Sequence, residues 1–520
     1  MIRNKFKILI AALSGAFLVT VSSCSKIDEF GSMNTNPTAP LTPLTSGLLT
    51  QVLSNFGSNY AWDQGGISTV SGLYCQYFSE TQYTEASRYS KPTTNWDGYY
   101  AGNIKDLQTI IDYNTDPATA PIALGYGSNN NQIAVARILK AYVLWFLTDT
   151  YGDIPYNGIL NASDNGVIAY TKQQDIYNSL FTELTEAVAQ FDDGAAMKGD
   201  ILFNGDISMW KKFANSTRLL MALRLSKVDA AKGQSEFNAA LTADGGVFQE
   251  GEGAVIKYPG GNFNSPVYNY YNITSRQDYA VSSTLLDFLN ANYDDRAYVL
   301  ATAAVGAVPK GFPYGLTRDE AIDFANSNPS WAKVIGTSKT IYSDGTDFNV
   351  ATAPVTLLGS SEVFLARAEA AYIGWTDESV EDNYYTGISE NWKQWDVYAG
   401  TLLPIYGGVP LDGDDYYYYI SQDLIALGVE GGDDYEKIMT QQWIAHYPKG
   451  WLGWADWKRT GYPALAPAPG MEANGIPVRY PYGPNEYNLN PANVSDAAKQ
   501  YTGGGQSTDS QFGHIWWDAE

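Results

Sequence analysis

A predominantly helical fold, built as a helix-hairpin scaffold carrying long irregular loops, is what this chain predicts. Apolar residues recur at helical spacing in several separate windows. Long stretches rich in glycine, asparagine, proline and tyrosine join those windows. At 520 residues, 45% of them hydrophobic, the chain can also bury a substantial core. No simple repeat period is visible, so any repeats are degenerate.

The first segment reads as a leader. Arg3, Lys5 and Lys7 precede an apolar run from Ile8 to Val21, followed by Ser22 and Ser23, the order of a secretory signal peptide. That run is shorter than the roughly 20 residues a membrane span needs. Cys24, directly after Val21-Ser22-Ser23, resembles the lipobox of bacterial lipoproteins, which implies cleavage before Cys24 and lipidation of it. Ser25-Lys26-Ile27-Asp28-Glu29 resembles the acidic export tag of Bacteroidetes surface lipoproteins, implying an outer-membrane location facing the exterior. Acyl chains, at about 0.8 kcal/mol per buried methylene, would make the lipid the sole membrane contact. The competing reading is an ordinary secreted protein whose first mature cysteine falls there. Residues 24–45 are polar and dotted with Pro37, Pro40 and Pro43, a tether. The expected organisation is a signal peptide over 1–23, a lipidated tether over 24–45 and one domain over 46–520.

Within that domain, Ile133–Leu147 is apolar almost throughout and ends before Gly152 and Pro155, a buried core helix. Ile176, Leu180, Leu184 and Val188 step by four, an amphipathic helix. Trp210–Leu225 repeats the pattern, and its Arg218 and Arg224 should reach carboxylates or helix ends. Ser360–Trp375 is a third strong helix, whose alanines let a neighbour approach. Lys437–Trp457 reads as two short helices joined at Pro448-Lys449-Gly450. The stretches 245–280, 300–358, 400–432 and 461–515 read as loops, long enough to be functional.

Composition narrows the function. The formal charge is −24, and −27 once the three cationic residues of the leader are gone, so nucleic acid and anionic lipid are poor partners. With Cys24 lipidated, Cys75 stands alone and no internal disulfide forms; it reads as a small core residue. The 39 tyrosines and 14 tryptophans fit either a carbohydrate binder or an aromatic-rich core. His446 and His514 have no metal-site spacing, and His446 reads as structural. No nucleophile elbow, phosphate loop or dinucleotide fingerprint is present. Carboxylate pairs carry no information without geometry, so nothing points to an enzyme or a cofactor. Two acidic loops, Asp344 with Asp347 and Asn349, and Asp412 with Asp414 and Asp415, have calcium-type donors but read first as solvated turns.

Motifs along most of the chain resemble the SusD/RagB family of outer-membrane lipoproteins. They are Thr148–Tyr156, the Trp-x-x-Phe-Ala-Asn-Ser helix from Trp210, Tyr293-Asp294-Asp295-Arg296, and the alanine-rich helix from Glu362. Further on come Gln441-Gln442-Trp443, Trp454, Trp457-Lys458-Arg459, Gly461-Tyr462-Pro463, Pro477-Val478-Arg479-Tyr480-Pro481 and Trp516-Trp517-Asp518. Gln442 and Lys458 depart from the family's usual lysine and arginine. The turn before Arg296 lacks the usual proline, which leaves it less constrained.

The resemblance implies an all-α, TPR-like superhelix of helix pairs with irregular loop insertions in a single domain. It implies a non-catalytic protein that captures a glycan at the cell surface for a SusC-like TonB-dependent transporter. Peptide capture of the RagB type, a surface glycoside hydrolase and a purely structural lid are the alternatives. Trp443, Trp454, Trp457 and Arg459 fall in scaffold motifs and read as packing residues. Ligand contacts are therefore sought among aromatics outside those motifs. The candidates are Trp62 with Asp63 and Gln64, then Tyr83, Arg88 and Tyr89 with Gln82, and Tyr270 and Tyr314 near Tyr268, Tyr271 and Phe312. Rings would stack on sugars while Arg88 or Gln82 donates to hydroxyls. Trp96 reads as core.

Overall fold

Residues 44–63, 65–93, 95–158, 167–301, 308–334, 351–395 and 413–518 are described by the computed structural model. The expectations for Cys24, the leader 1–23, residues 24–43, Gln64, Asp344, Asp347, Asn349 and Asp412, and for the Asp414 side chain, lie outside the described residues. The chain from Thr45 to Glu520 forms one unit.

Helices carry the architecture, as the apolar periodicity predicts. They are α1 (Thr45–Tyr60), α2 (Ile67–Tyr74), α3 (Lys105–Thr115), α4 (Asn129–Tyr151), α5 (Gln173–Gln190), α6 (Ile207–Leu223) and α7 (Ala230–Thr242). After them come α8 (Arg318–Ser327), α9 (Ser360–Tyr372), α10 (Val380–Gln394), α11 (Gly413–Ile420), α12 (Asp434–His446) and α13 (Gly450–Thr460). Neighbours in sequence pair, α4 with α5, α6 with α7, α9 with α10 and α12 with α13. The pairs then stack through α5 on α6, α6 on α9 and α9 on α12, while α13 closes on α2. Strands β1 (Phe78–Glu80), β2 (Gly253–Ile256), β3 (Tyr279–Val281) and β4 (Val355–Gly359) form only two-stranded antiparallel ladders, β1 with β3 and β2 with β4. No described helix is long and apolar enough to cross a membrane.

Local chemistry explains the boundaries. Asp206 and Asp433 cap α6 and α12, each accepting two backbone N–H groups of the first turn. Gly152 ends α4 at φ +83°, and a Cβ there would collide with the Tyr501 hydroxyl at 2.2 Å. Helices α1, α2, α3, α7, α8, α10 and α11 were not foreseen; α8, α10 and α11 are short or strongly polar, so their apolar stripe is weak. The turn at Asp294 is not loose. The Asp294 carboxylate accepts from the Arg296 N–H at 3.0 Å and from its guanidinium at 2.6 Å, closing the turn without proline.

Charged residues cross the middle of the helix stack almost without solvent exposure. His446 at the end of α12 places Nδ1 3.0 Å from Glu362 of α9 and Nε2 2.8 Å from Asp456 of α13. Arg224, just past α6, bonds Asp456 and reaches Asp149 of α4 at 3.3 Å. Lys449 pairs with Glu362 at 2.7 Å, and Arg459 with Glu369 of α9 at 2.8 Å. Both imidazole nitrogens face carboxylates, so only the imidazolium can donate to both. Burial works to lower the His446 pKa, yet its bonds to Asp456 and Glu362 outweigh burial and raise it above 6.5. Burial pushes the Asp456 carboxyl up, but Arg224, His446 and Arg459 hold it well below the usual range.

Aromatic rings fill the remaining core, and Trp62 is one of them. Its ring is fully buried, edge-on to Phe78 at 5.0 Å and Tyr270 at 5.5 Å. The expectation of a ligand-stacking Trp62 is therefore corrected: the residue precedes α2 and wedges that helix against the β1–β3 ladder. Cys75, Trp96, Trp443 and Trp454 are core as expected.

Three measurements test this packing. Truncating Trp62→Ala should cost about 3–5 kcal/mol of unfolding free energy, read by denaturant titration. Asp456→Asn leaves Arg224 and His446 without their shared carboxylate and should cost about 3–5 kcal/mol. Because His446 is held protonated in the fold, its stabilisation is complete below about pH 6.5 and lost as pH rises through its raised pKa. Melting curves of the wild type should show that decline, and His446→Gln should lack it.

Candidate functional site

A surface groove opens where the chain leaves the β1–β3 ladder. The ladder pairs Phe78 with Val281 and Glu80 with Tyr279. Thr81 continues it by donating its N–H to Asp278 O at 2.8 Å. Beyond it, the buried Glu80 carboxylate accepts from the Ser87 N–H at 2.8 Å and hydroxyl at 2.9 Å, drawing residues 84–90 into a turn. Burial pushes the Glu80 carboxyl up to about 7, against the opposing pull of Ser87.

Within this turn Tyr89 adopts φ +64°, a conformation rare for a bulky residue. That geometry directs Tyr89 inward, where its hydroxyl accepts from the Ala468 N–H at 2.8 Å. Its carbonyl accepts from Gln511 Nε2 at 2.7 Å. Arg88 points the other way and donates Nη1 to Gly315 O at 2.8 Å and Pro469 O at 3.0 Å. One guanidinium thus joins three loops. Gly315 permits the approach: at φ +69°, a Cβ there would lie 2.5 Å from that of Ala468.

The opposite wall is the start of α8. Thr317 and Glu320 form a capping box, with the Thr317 N–H donating to the Glu320 carboxylate at 2.9 Å. This fixes Arg318, whose guanidinium lies 5.8 Å from the centre of the Tyr83 ring. Tyr83 is 48% exposed. The groove between the walls holds about 360 Å³ and is lined by Thr84, Glu85, Arg88, Ser90, Thr317 and Arg318, with Tyr89 at its base. Along the same edge, Gln82 Nε2 donates to Asp278 at 3.0 Å and Arg276 to the other oxygen at 2.7 Å.

Of the residues expected to touch a ligand, Tyr83 and Arg88 are therefore at the surface together. Tyr89, Tyr270 and Tyr314 are corrected to supporting positions, because each ring is buried. The Tyr270 hydroxyl accepts from the Asp278 N–H at 3.0 Å and so positions the Asp278–Gln82 edge. Tyr271 and Phe312 are buried as well. Arg318 and Thr317 were not foreseen, although Thr317-Arg318-Asp319-Glu320 is a legible capping box inside a stretch read as loop. The groove offers two guanidinium groups and three hydroxyls, with the exposed Tyr83 ring beside Arg318, a set that suits a ligand with ring faces and oxygen acceptors. Among the described residues no three His, Cys, Asp or Glu side chains cluster as a metal site would.

A SusD-like family model, described as "Starch-binding associating with outer membrane", matches residues 36–483. No curated protein sequence matches the chain. A solved chitin-binding protein is 30% identical, with 92% of this chain and 100% of that one covered at a TM-score of 0.72. A chitin-binding SusD homologue from Flavobacterium johnsoniae is 20% identical, with 91% and 98% covered at 0.68. A SusD homologue from Bacteroides uniformis is 22% identical, with 92% and 100% covered at 0.72. The stacked helix pairs share the TPR-like helical architecture of these structures. With the family model spanning most of its length, the chain belongs to the SusD-like family.

Proposed function

We propose that the protein captures a glycan in the Tyr83–Arg88–Arg318 groove and passes it, unhydrolysed, to a SusC-like TonB-dependent transporter. The observation that carries this reading is an exposed tyrosine face beside two guanidinium groups in a groove built from three stitched loops. Membership of a family described as starch-binding supports it, as does a chitin-binding relative at 30% identity. A lipid on Cys24 would hold the domain at the outer membrane, with no other membrane contact and no part for nucleic acid. The excess of negative charge would favour basic peptides over the chain as a whole, but this groove carries Arg88 and Arg318 against one Glu85. Its local sign suits oxygen-rich sugars better.

Tyr83→Ala should lower affinity for chito- or malto-oligosaccharides while leaving the melting temperature nearly unchanged, since the ring is half exposed. Stacking on an aromatic ring is worth about 1–3 kcal/mol for nucleic-acid bases, and carried to sugars by analogy that is roughly a five- to 150-fold loss. Calorimetric titration beside a melting curve reads both. Intact affinity in Tyr83→Ala, or no glycan bound by the wild type, would overturn the reading. Steady release of reducing ends would replace capture with hydrolysis. Purification from outer membranes solubilised in mild detergent should bring down a protein of transporter size; recovery of the lipoprotein alone would count against delivery.

A further inference from the structure

A second surface, between α10 and α11, has the opposite sign. The sequence Tyr416-Tyr417-Tyr418-Tyr419 on α11 divides by helical period. Tyr416 and Tyr419 turn inward, while Tyr417 and Tyr418 are 67% and 52% exposed. The inward pair fastens the helix. The Tyr419 hydroxyl accepts from Arg296 at 2.9 Å and from Gln441 at 2.6 Å. The Tyr416 hydroxyl donates to Tyr385 O at 3.0 Å, and its ring packs on Trp392 at 5.5 Å. The outward pair has no part in this fastening. Tyr293, 58% exposed and held at φ +58°, sets its ring 5.1 Å from Tyr418. Tyr293 and Tyr418 thus form one exposed pair, while Tyr417 sets its ring 5.6 Å from that of Tyr416.

Beside them runs a groove of about 620 Å³. Tyr385, Tyr416 and Tyr417 form its aromatic side, and Glu250 and Glu381 supply carboxylates. The Tyr385 ring is fixed, its hydroxyl accepting from the Leu427 N–H at 3.1 Å. No lysine or arginine is among the residues lining this groove. Glu250 meets Lys393 at 3.4 Å across an exposed pair, and Glu381 makes no ion pair among the described residues.

We propose that this groove binds an amino sugar through its protonated amine, giving the protein a second glycan contact chemically unlike the first. The proposal rests on the glycan reading above. Tyrosine faces accept both sugar C–H faces and a cation, and the two carboxylates accept the ammonium N–H groups. A neutral sugar would use the rings but leave Glu381 without a counter-charge. A lysine side chain would supply the charge but no ring face for the tyrosines.

The test is calorimetric titration of the full chain at pH 6 with a glucosamine tetramer, its N-acetylated counterpart and tetralysine. Tyr417→Ala should weaken the glucosamine tetramer roughly five- to 150-fold by the stacking scale. Glu381→Gln should weaken it at least about fivefold and reduce its salt dependence. Asp496→Asn, an exposed control paired with Lys499, should change nothing. The proposal is overturned if Tyr417→Ala and Glu381→Gln bind as the wild type does. It also fails if Asp496→Asn weakens binding as much as Glu381→Gln, which would mark general attraction to an acidic chain. Tetralysine binding as tightly, with the same dependence on Tyr417, would make this a peptide site and equally overturn it. The N-acetylated tetramer, titrated on the wild type in parallel, keeps the two readings apart. Its failure to bind counts against the first groove, whereas failure of the glucosamine tetramer alone counts against the second.

Discussion

The clasp that His446 makes between Glu362 and Asp456 is the constraint on which the helix stack depends. Three helices, α9, α12 and α13, meet at one imidazolium, and Arg224 extends the contact from Asp456 to Asp149 at the end of α4. Burying charge is expensive, and an isolated buried pair often stabilises no more than well-packed apolar residues would. This cluster differs because nearly every charge has more than one partner. Asp149 accepts from Trp517 Nε1 at 2.9 Å as well as from Tyr177. Lys458 donates to the Asp149 carbonyl at 2.8 Å and lies 4.0 Å from the Trp454 ring centre. Such a cluster is satisfied in one arrangement of the helices and broken in others, so it fixes their register in a way apolar packing alone would not.

That fixed register is what the surface loops inherit. The α2–β1 segment is wedged by Trp62 and closed on α13, so the turn at residues 84–90 leaves the scaffold from a defined point. Arg88 then ties the turn to Gly315 and Pro469, two loops far away in sequence. At α11 the same logic applies through Arg296, whose guanidinium is shared by Asp294, Asn391, Tyr419 and Gln441. Binding surfaces on loops need a rigid base if their rings are to stack without a large ordering cost on each encounter. Here an arginine supplies that base in each place, Arg88 from the surface and Arg296 from the core.

The helices α4, α5, α6, α9, α12 and α13 were legible in the sequence, and so was the carboxylate character of the partners of Arg218 and Arg224. Arg218 meets Glu236 at 2.8 Å, and Arg224 meets two aspartates. The polar helix α10, with Val380-Glu381-Asp382 at its start, gave no strong apolar stripe. The α11 tyrosines were hidden because a four-residue aromatic run has no period of its own. Half of that run is core and half surface, and only a helix of known phase says which half. The same ambiguity misplaced Trp62 and Tyr270. An aromatic beside glycines and amides looks alike whether it stacks on a ligand or on Phe78. Tyr83 and Arg88 keep solvent exposure, whereas Tyr89 of the same turn is buried, a difference set by its positive φ that composition does not show.

The two grooves also bear on how an acidic protein handles a sugar. A formal charge of −24 gives the whole surface a field that repels anions and attracts cations. Arg88 and Arg318 interrupt that field locally, so a ligand bound there is held by short-range donors and one ring face rather than by net charge. The Tyr417 groove runs with the field, and a cationic ligand would be drawn to it from a distance before stacking decides whether it stays. Both are shallow and present few contacts, which limits affinity through the small apolar area buried. On the capture reading that limit is useful, because a ligand held too tightly on the surface would not be released for import.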